Sequence, residues 1–285
     1  MTSPAFTLPA FGSLAIRGED ARSFLQNQLS SDVSLVSETS GQLSGWHDPK
    51  GRVLAVLRVL PRADGFVLVM HAGLVAAVAQ RLRMYVLRAR VTIDAGPAVY
   101  GAGADTLAAL LPAGAVLPAA EPAAGAGTLA AVVTADFSAL RLPGTTGWLI
   151  AGALPPDRVV EDAAAAAAWE RAELEAGIPE VYPATSGEFV AQMLNLDRIG
   201  AVSFTKGCYP GQEIVARAHH LGRVKRRARL CHAAGAPPVP GESLADAAGT
   251  VVRAAVAADR CLVMAVVAED AAGPFTLADG RPLDP

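Results

Sequence analysis

The chain has 285 residues, 52% of them hydrophobic and 18% charged, with a net charge of −3. That composition describes a folded protein with room for one large domain or two to three modest ones, and it excludes disorder. The charge gives no electrostatic case for a general nucleic-acid or membrane binder and leaves only local basic patches to consider. Aromatic residues make up 5%, so Ala, Val and Leu must fill the core. The opening "MTSPAFTLPAFGSLAIRGED" lacks a basic stretch followed by an apolar one and does not read as a signal peptide. Apolar runs break before about 18 residues, so no membrane span is expected. Three scattered cysteines argue against a disulfide framework and for a reducing cytoplasm.

In chain order, "RGEDARSFLQNQLSSDV" puts Ala21, Phe24, Leu25 and Leu29 on one helical stripe after an acidic start. "GQLSGWHDPKGRVLAVLRVLPRADGFVLVMH" reads as three strands. They are joined by a turn at Asp48-Pro49-Lys50-Gly51 and a hairpin at Asp64-Gly65. A helix is predicted over about Leu74–Leu87, then a strand at "RVTIDA". Helix, meander, helix and strand imply α+β layering. Residues 96–128 are rich in Gly, Pro and Ala, and "LPAGAVLPAAEPAAGAGT" within them, 111–128, reads as loop or a loosely built edge. "GTLAAVVTADFSALRLPGTTGWLIAG" supplies further strand. "PDRVVEDAAAAAAWERAELEAGIPEVYP" is the best helix, closed by Gly177 with Pro179 beyond. From Gly222 onward, short Val-rich segments between Gly and Pro predict a small β-barrel or sandwich.

Chemistry concentrates in "FTKGCYPGQEIVAR", Phe204–Arg217. Pro210 suits the first position of a helix, with Gln212 and Glu213 in its first turn. Cys208 then lies just ahead of a helix N-terminus with Lys206 two residues upstream, and both favour thiolate over thiol. Gly207 and Gly211 allow close backbone approach. A buried structural cysteine is an equally good reading of the same residues. Cys231 and Cys261 lie in strand patterns and read as small core residues. No CxxC or Cys/His ligand spacing points to a resident zinc or iron–sulfur site. His219-His220 at a helix end is more often a capping or solvated pair than a ligand pair. "GRVKRRARL" alternates Arg223, Lys225, Arg227 and Arg229 on one strand face, with Arg226 as an exception. It is either a solvated face or an anion site for a polyanionic small molecule or a nucleic-acid backbone.

"KGCYPGQEIVAR" resembles the KGCYxGQE signature of the YgfZ family, folate-binding relatives of the glycine-cleavage aminomethyltransferase. "EAGIPEVYPATSGEFVAQMLNLDRIGAVSFTKGCY", "GEDARSFLQNQLSSDV" and "HDPKGRV" are similar to family segments too, so the likeness covers most of the chain. It implies two interlocked ferredoxin-like α+β modules over 1–220 that hold tetrahydrofolate, with a C-terminal β-barrel over 221–285. It also implies a role in assembling or repairing iron–sulfur clusters in client enzymes, including tRNA-thiolating ones. Expected partners are iron–sulfur client or assembly proteins, with a weak tRNA contact through 223–229. By position, Cys208 and Lys206 fall at the reactive centre. Glu175, Gln192, Asn195, Tyr209, Gln212, Glu213 and Arg223 fall around the folate, with Glu175 matching a pterin-binding glutamate.

Two departures stand out. Ala191 takes the place of the family's usual proline before Gln192. "GRVLAVLRV" puts Leu54 and Ala55 where the aminomethyltransferase carries an Asp-Asp pair, and neither can act as a general base. Conventional aminomethyl transfer is therefore not expected, although a folate-dependent one-carbon transfer on another substrate remains the alternative reading.

Overall fold

A computed structural model describes residues 3–115, 117–118, 127–220, 222 and 224–284. The strands of the main body are β1 (Ala5–Thr7), β2 (Phe11–Arg17), β3 (Ser40–His47), β4 (Val53–Arg62), β5 (Gly65–His71), β6 (Thr92–Ala95), β7 (Val99–Ala102), β8 (Leu129–Val133), β9 (Phe137–Arg141), β10 (Trp148–Gly152) and β11 (Val159–Val160). They form one sheet in the order β11-β1-β7-β10-β9-β8-β3-β4-β5-β2-β6. Only β1 and β11 pair in parallel; every other neighbour is antiparallel. The helices are α1 (Ala21–Gln26), α2 (Val75–Arg83), α3 (Ala104–Leu110), α4 (Ala163–Glu175) and α5 (Gln212–His220).

The meander β3-β4-β5 matches the reading of the sequence. Its first turn closes as expected, with Gly51 N–H donating to Asp48 O at 3.0 Å. β4 is buried almost end to end, which suits a run that is apolar but for Arg58 through its first eight residues. α4 has caps at both ends: Asp162 accepts from Ala165 N–H at 2.9 Å. At the other end Gly177 takes φ +74°, and Ile178 N–H reaches back to Glu173 O at 2.9 Å.

One expectation changes and two elements are added. α2 stops at Arg83, four residues short of Leu87, so Met84, Tyr85 and Leu87 are left in solvent. Ahead of the loop expected from Leu111, β7 sits inside the sheet between β1 and β10, followed by α3, and neither element was predicted. Composition misleads there because Gly101 serves packing and not a turn. A Cβ on it would lie 2.5 Å from the Phe6 ring and 3.2 Å from Trp169. Residues 116 and 119–126 of that stretch lie outside the described residues.

The last segment carries β12 (Arg226–Ala234), β13 (Gly249–Ala257), β14 (Arg260–Ala268), β15 (Phe275–Thr276) and β16 (Pro282–Leu283). They form a three-stranded sheet, β12-β14-β13, and a two-stranded one. One face of the larger sheet has its own small core, including Cys231, Val251, Cys261 and Val263. Its other face, through Val252, Leu262 and Met264, joins the main core. An ionic cluster fastens the same junction. Arg58 of β4 donates to Glu173 at 2.8 Å and Glu180 at 2.6 Å, and Arg253 of β13 donates to Glu173 at 3.0 Å. All four side chains are buried. The charges cancel in pairs, which is what makes such burial tolerable.

Candidate functional site: an exposed thiol on an anchored turn

Residues 203–211 run from the core to the start of α5 without regular structure. Their course is fixed by the residues on either side of Cys208. Lys206 turns inward, and its ammonium donates to the carbonyls of Gln26 (2.6 Å), Leu29 (2.7 Å) and Ser31 (2.9 Å). An ammonium has three N–H donors, so all are spent on the segment leaving α1. Burial pulls the Lys206 pKa down to about 8, while Asp32 opposes that shift. Tyr209 is buried between this ammonium (5.4 Å from its ring centroid) and the ring of His47 (5.9 Å between centroids). Its phenol is pushed up to about 12 by burial.

Between these two anchors Gly207 and Cys208 stand exposed, and nothing lies within 4 Å of a Cβ placed on Gly207. Lys206, expected near the thiol, has all three donors committed to carbonyls and none left for the sulfur. Pro210 is not the first helical residue either. Pro210 and Gly211 form a turn, Gly211 takes φ +77°, and the helix starts at Gln212. Gln212 and Glu213 do occupy its first turn. The hairpin tip of β3-β4 locks this helix start, since a Cβ on Gly211 would lie 2.5 Å from Asp48 O and 2.6 Å from Gly51 Cα.

The other candidate residues divide by position. Gln192 is buried, donates to Val215 O of α5 at 2.7 Å, and its Oε1 has no hydrogen-bond partner among the described residues. Asn195, at φ +57°, donates to Ala228 O at 2.8 Å and accepts from Arg227 at 3.2 Å. Both therefore join the approach segment to α5 and β12. Gln212 is half-buried, and Glu213 is exposed with Arg217 as its partner at 3.1 Å. Glu175 is exposed at the end of α4, paired with Arg171 at 3.5 Å. Arg223 lies outside the described residues.

The basic strand does not alternate as expected. Arg227 is buried, grips Asp197 through two bonds of 2.9 Å, and donates to Gln192 O at 3.0 Å. Arg229 donates to the carbonyls of Ala271 and Glu269. Arg227 holds the C-terminal sheet to the body, Arg229 is tied within the C-terminal segment, and neither is open to an anion. His219 stacks on Phe204 at 3.7 Å with His220 at its edge, so the pair packs the approach segment against α5. Among the described residues no group of three or more His, Cys, Asp or Glu side chains could hold a metal ion.

His47 had no place in the sequence reading and is the main addition. It is fully buried, and desolvation draws its pKa down to about 4 against weaker opposition from Gly51 O and Asp48. Its position ahead of a Pro-Gly turn gives no hint that its ring meets Tyr209. Arg58 was detectable in principle, because an arginine inside "VLAVLRVL" demands buried acids somewhere else in the chain.

The fold as a whole is that of a known enzyme class. Over 99% of this chain and 84% of the other, the structure superposes on glycine cleavage system aminomethyltransferase T from Bartonella henselae, with a TM-score of 0.72 and 18% identity. The protein thus has a mixed α/β, aminomethyltransferase-like fold.

Curated relatives then narrow the class. The tRNA-modifying protein YgfZ of Klebsiella pneumoniae (strain 342) is 34% identical over 252 residues, 84% of this chain and 74% of the relative. Those of Shigella sonnei (strain Ss046) and Colwellia psychrerythraea (strain 34H / ATCC BAA-681) are 32% identical over 244 residues and 28% over 246. The chain belongs to the YgfZ family. No protein-family model matches it. No helix among the described residues is long and apolar enough to cross a membrane.

Proposed function

We propose that this protein binds tetrahydrofolate and supports the assembly or repair of iron–sulfur clusters in client enzymes, tRNA-modifying ones among them, with Cys208 as its reactive group. The observation that carries the reading is the turn itself. A lone exposed thiol stands between a buried ammonium with all its donors engaged and a buried tyrosine ring, so its position is set by the fold while its sulfur stays accessible. Two interlocked modules over 1–220 with a barrel over 221–285 belong to the same proposal.

The side chains suit a folate in part. Glu175 offers a carboxylate for adjacent pterin N–H donors, Gln212 an amide with no partner among the described residues, and Gln192 a buried acceptor without a donor. Tyr209 and Lys206 shape the wall beside the thiol. Asn195 is committed to β12 and is withdrawn from the folate set. Bound folate would supply a one-carbon carrier beside a thiol; the chain's own part is to orient it and hold Cys208 exposed. Leu54 and the buried Ala55 offer no base, which supports an accessory role over aminomethyl transfer. A tRNA contact through 223–229 rests, among the described residues, on Lys225 and Arg226.

The test is complementation. In cells lacking the protein and under oxidative stress, [4Fe–4S] enzyme activity should return with the natural sequence and not with Cys208→Ala. Equal rescue by both would make the thiol dispensable and sink the reading. Calorimetric titration with tetrahydrofolate tests the cofactor separately, and Glu175→Ala should weaken binding.

A further inference from the structure

Between Asp64 and Asp94 the chain has no acidic residue and four arginines, Arg81, Arg83, Arg88 and Arg90, although the whole protein carries −3. The fold gathers them at the C-terminal end of α2 and in the turn leading to β6. Arg90 is neutralised by Glu19 and Asp20. Arg81, Arg83 and Arg88 have no carboxylate partner among the described residues. Arg81 lies over the Trp46 ring at 5.8 Å, and Arg83 donates to Ile93 O at 2.6 Å.

Large apolar side chains stand between these cations: Met84 is 63% exposed, Tyr85 38% and Leu87 86%. Three of the eight large hydrophobics exposed among the described residues thus fall within four positions. A helix end accounts for Arg81 and Arg83 as cations facing the dipole. It accounts neither for Arg88 nor for the apolar cluster, and a solvated face would carry no such cluster.

Charge beside an aromatic ring narrows the partner. The cations are guanidinium groups, which pair with phosphate through two bonds and stack on bases. An exposed tyrosine beside them is a stacking platform, and uncompensated positive charge attracts a polyanion. We propose that residues 81–88 form a docking surface for unpaired RNA, such as a tRNA loop. This deepens the proposed service to tRNA-modifying clients by giving the protein a direct contact with their substrate. It needs neither folate nor the thiol.

The test is fluorescence anisotropy of labelled bulk deacylated tRNA with the full chain at 50 and 200 mM salt. Saturable binding should weaken at least roughly tenfold between the two salts. Arg88→Glu should cut affinity roughly tenfold and lower the salt slope by about 0.7–0.9. Tyr85→Ala should cut it at least roughly fivefold with the slope unchanged. Cys208→Ala should bind as the natural sequence does, so a failed cysteine reading and a failed RNA surface give different patterns. Both patch variants alter exposed side chains, and a thermal melt confirms that they fold. Absence of saturable binding at 50 mM, or equal binding by the natural chain and both patch variants, overturns the proposal. Binding to anionic phosphatidylglycerol vesicles or to an acidic protein in place of tRNA also overturns it, by assigning the patch to another partner.

Discussion

Gly51 and Gly211 meet back to back, one at the tip of the β3-β4 hairpin and the other at the start of α5. Each takes positive φ, +74° and +77°. A Cβ on Gly211 would fall 2.6 Å from Gly51 Cα. The segments "HDPKG" and "KGCYPGQ", far apart in sequence, are therefore two halves of one structure, and the thiol turn borrows its rigidity from the hairpin.

Gly211→Ala should then be costly for two independent reasons. The left-handed conformation alone costs about 1–2 kcal/mol for a residue with a Cβ, and the approach to Asp48 O adds to it. Thermal denaturation should show a Tm lowered by several degrees. A variant as stable as the natural chain would mean that the hairpin and helix do not meet this closely.

The turn was legible in sequence because its glycines and proline are local signals, and so were α4, with Asp162 and Gly177 at its ends, and the β3-β4-β5 meander. Long-range contacts were not. Lys206 finds its carbonyls 175 to 180 positions earlier in the chain, and nothing in "TKGCY" reveals that its ammonium faces inward. Arg227 looked like part of a solvated stripe because Asp197 meets it only in the folded chain. β7 was hidden because the rings of Phe6 and Trp169 dictate Gly101, and those are tertiary neighbours.

Lys206→Met keeps the apolar stem and removes the ammonium. The carbonyls of Gln26, Leu29 and Ser31 would lose their charged donor, and the cost should be roughly 1–3 kcal/mol. The midpoint of urea unfolding should fall accordingly. An unchanged midpoint with client rescue lost would instead assign Lys206 a chemical role.

His47 sets an acid limit. Its folded pKa, about 4, lies below the ordinary 6.5, so the unfolded chain takes up a proton first as pH falls. The stability this contributes is full above pH 6.5 and is lost as pH drops through 6.5 toward 4. By pH 4.5 the loss should be roughly 2–3 kcal/mol. Unfolding free energies from urea titrations at pH 7 and 4.5 should differ by that much more in the natural chain than in His47→Gln. Parallel slopes for the two would contradict a buried, neutral imidazole.

Glu173 is shared by Arg58 of the main sheet and Arg253 of the C-terminal sheet. Glu173→Gln should leave Arg58 with Glu180 and strip the buried Arg253 of its bonded carboxylate, at a cost of roughly 3–5 kcal/mol. Adding Arg253→Met should recover part of that loss, because it removes one unpaired charge. Equilibrium unfolding of the three proteins checks the order. If the double variant were the least stable, the guanidinium of Arg253 would be worth keeping without its partner.

Accessibility separates the three thiols. Cys208 is exposed, while Cys231 and Cys261 are buried, and burial pushes the Cys231 thiol up to about 11. Iodoacetamide at neutral pH should add a single label to the native protein, at Cys208, and three after denaturation, read by intact mass and peptide mapping. Cys208→Ala should abolish native labelling while moving stability by no more than about 0.5 kcal/mol, as expected for an exposed side chain with no partner among the described residues. Tetrahydrofolate, if it binds beside the turn, should slow the native reaction without changing the labelling of the denatured chain. Labelling of Cys231 in the native state would show that the C-terminal sheet opens, and would place the reactive surface elsewhere.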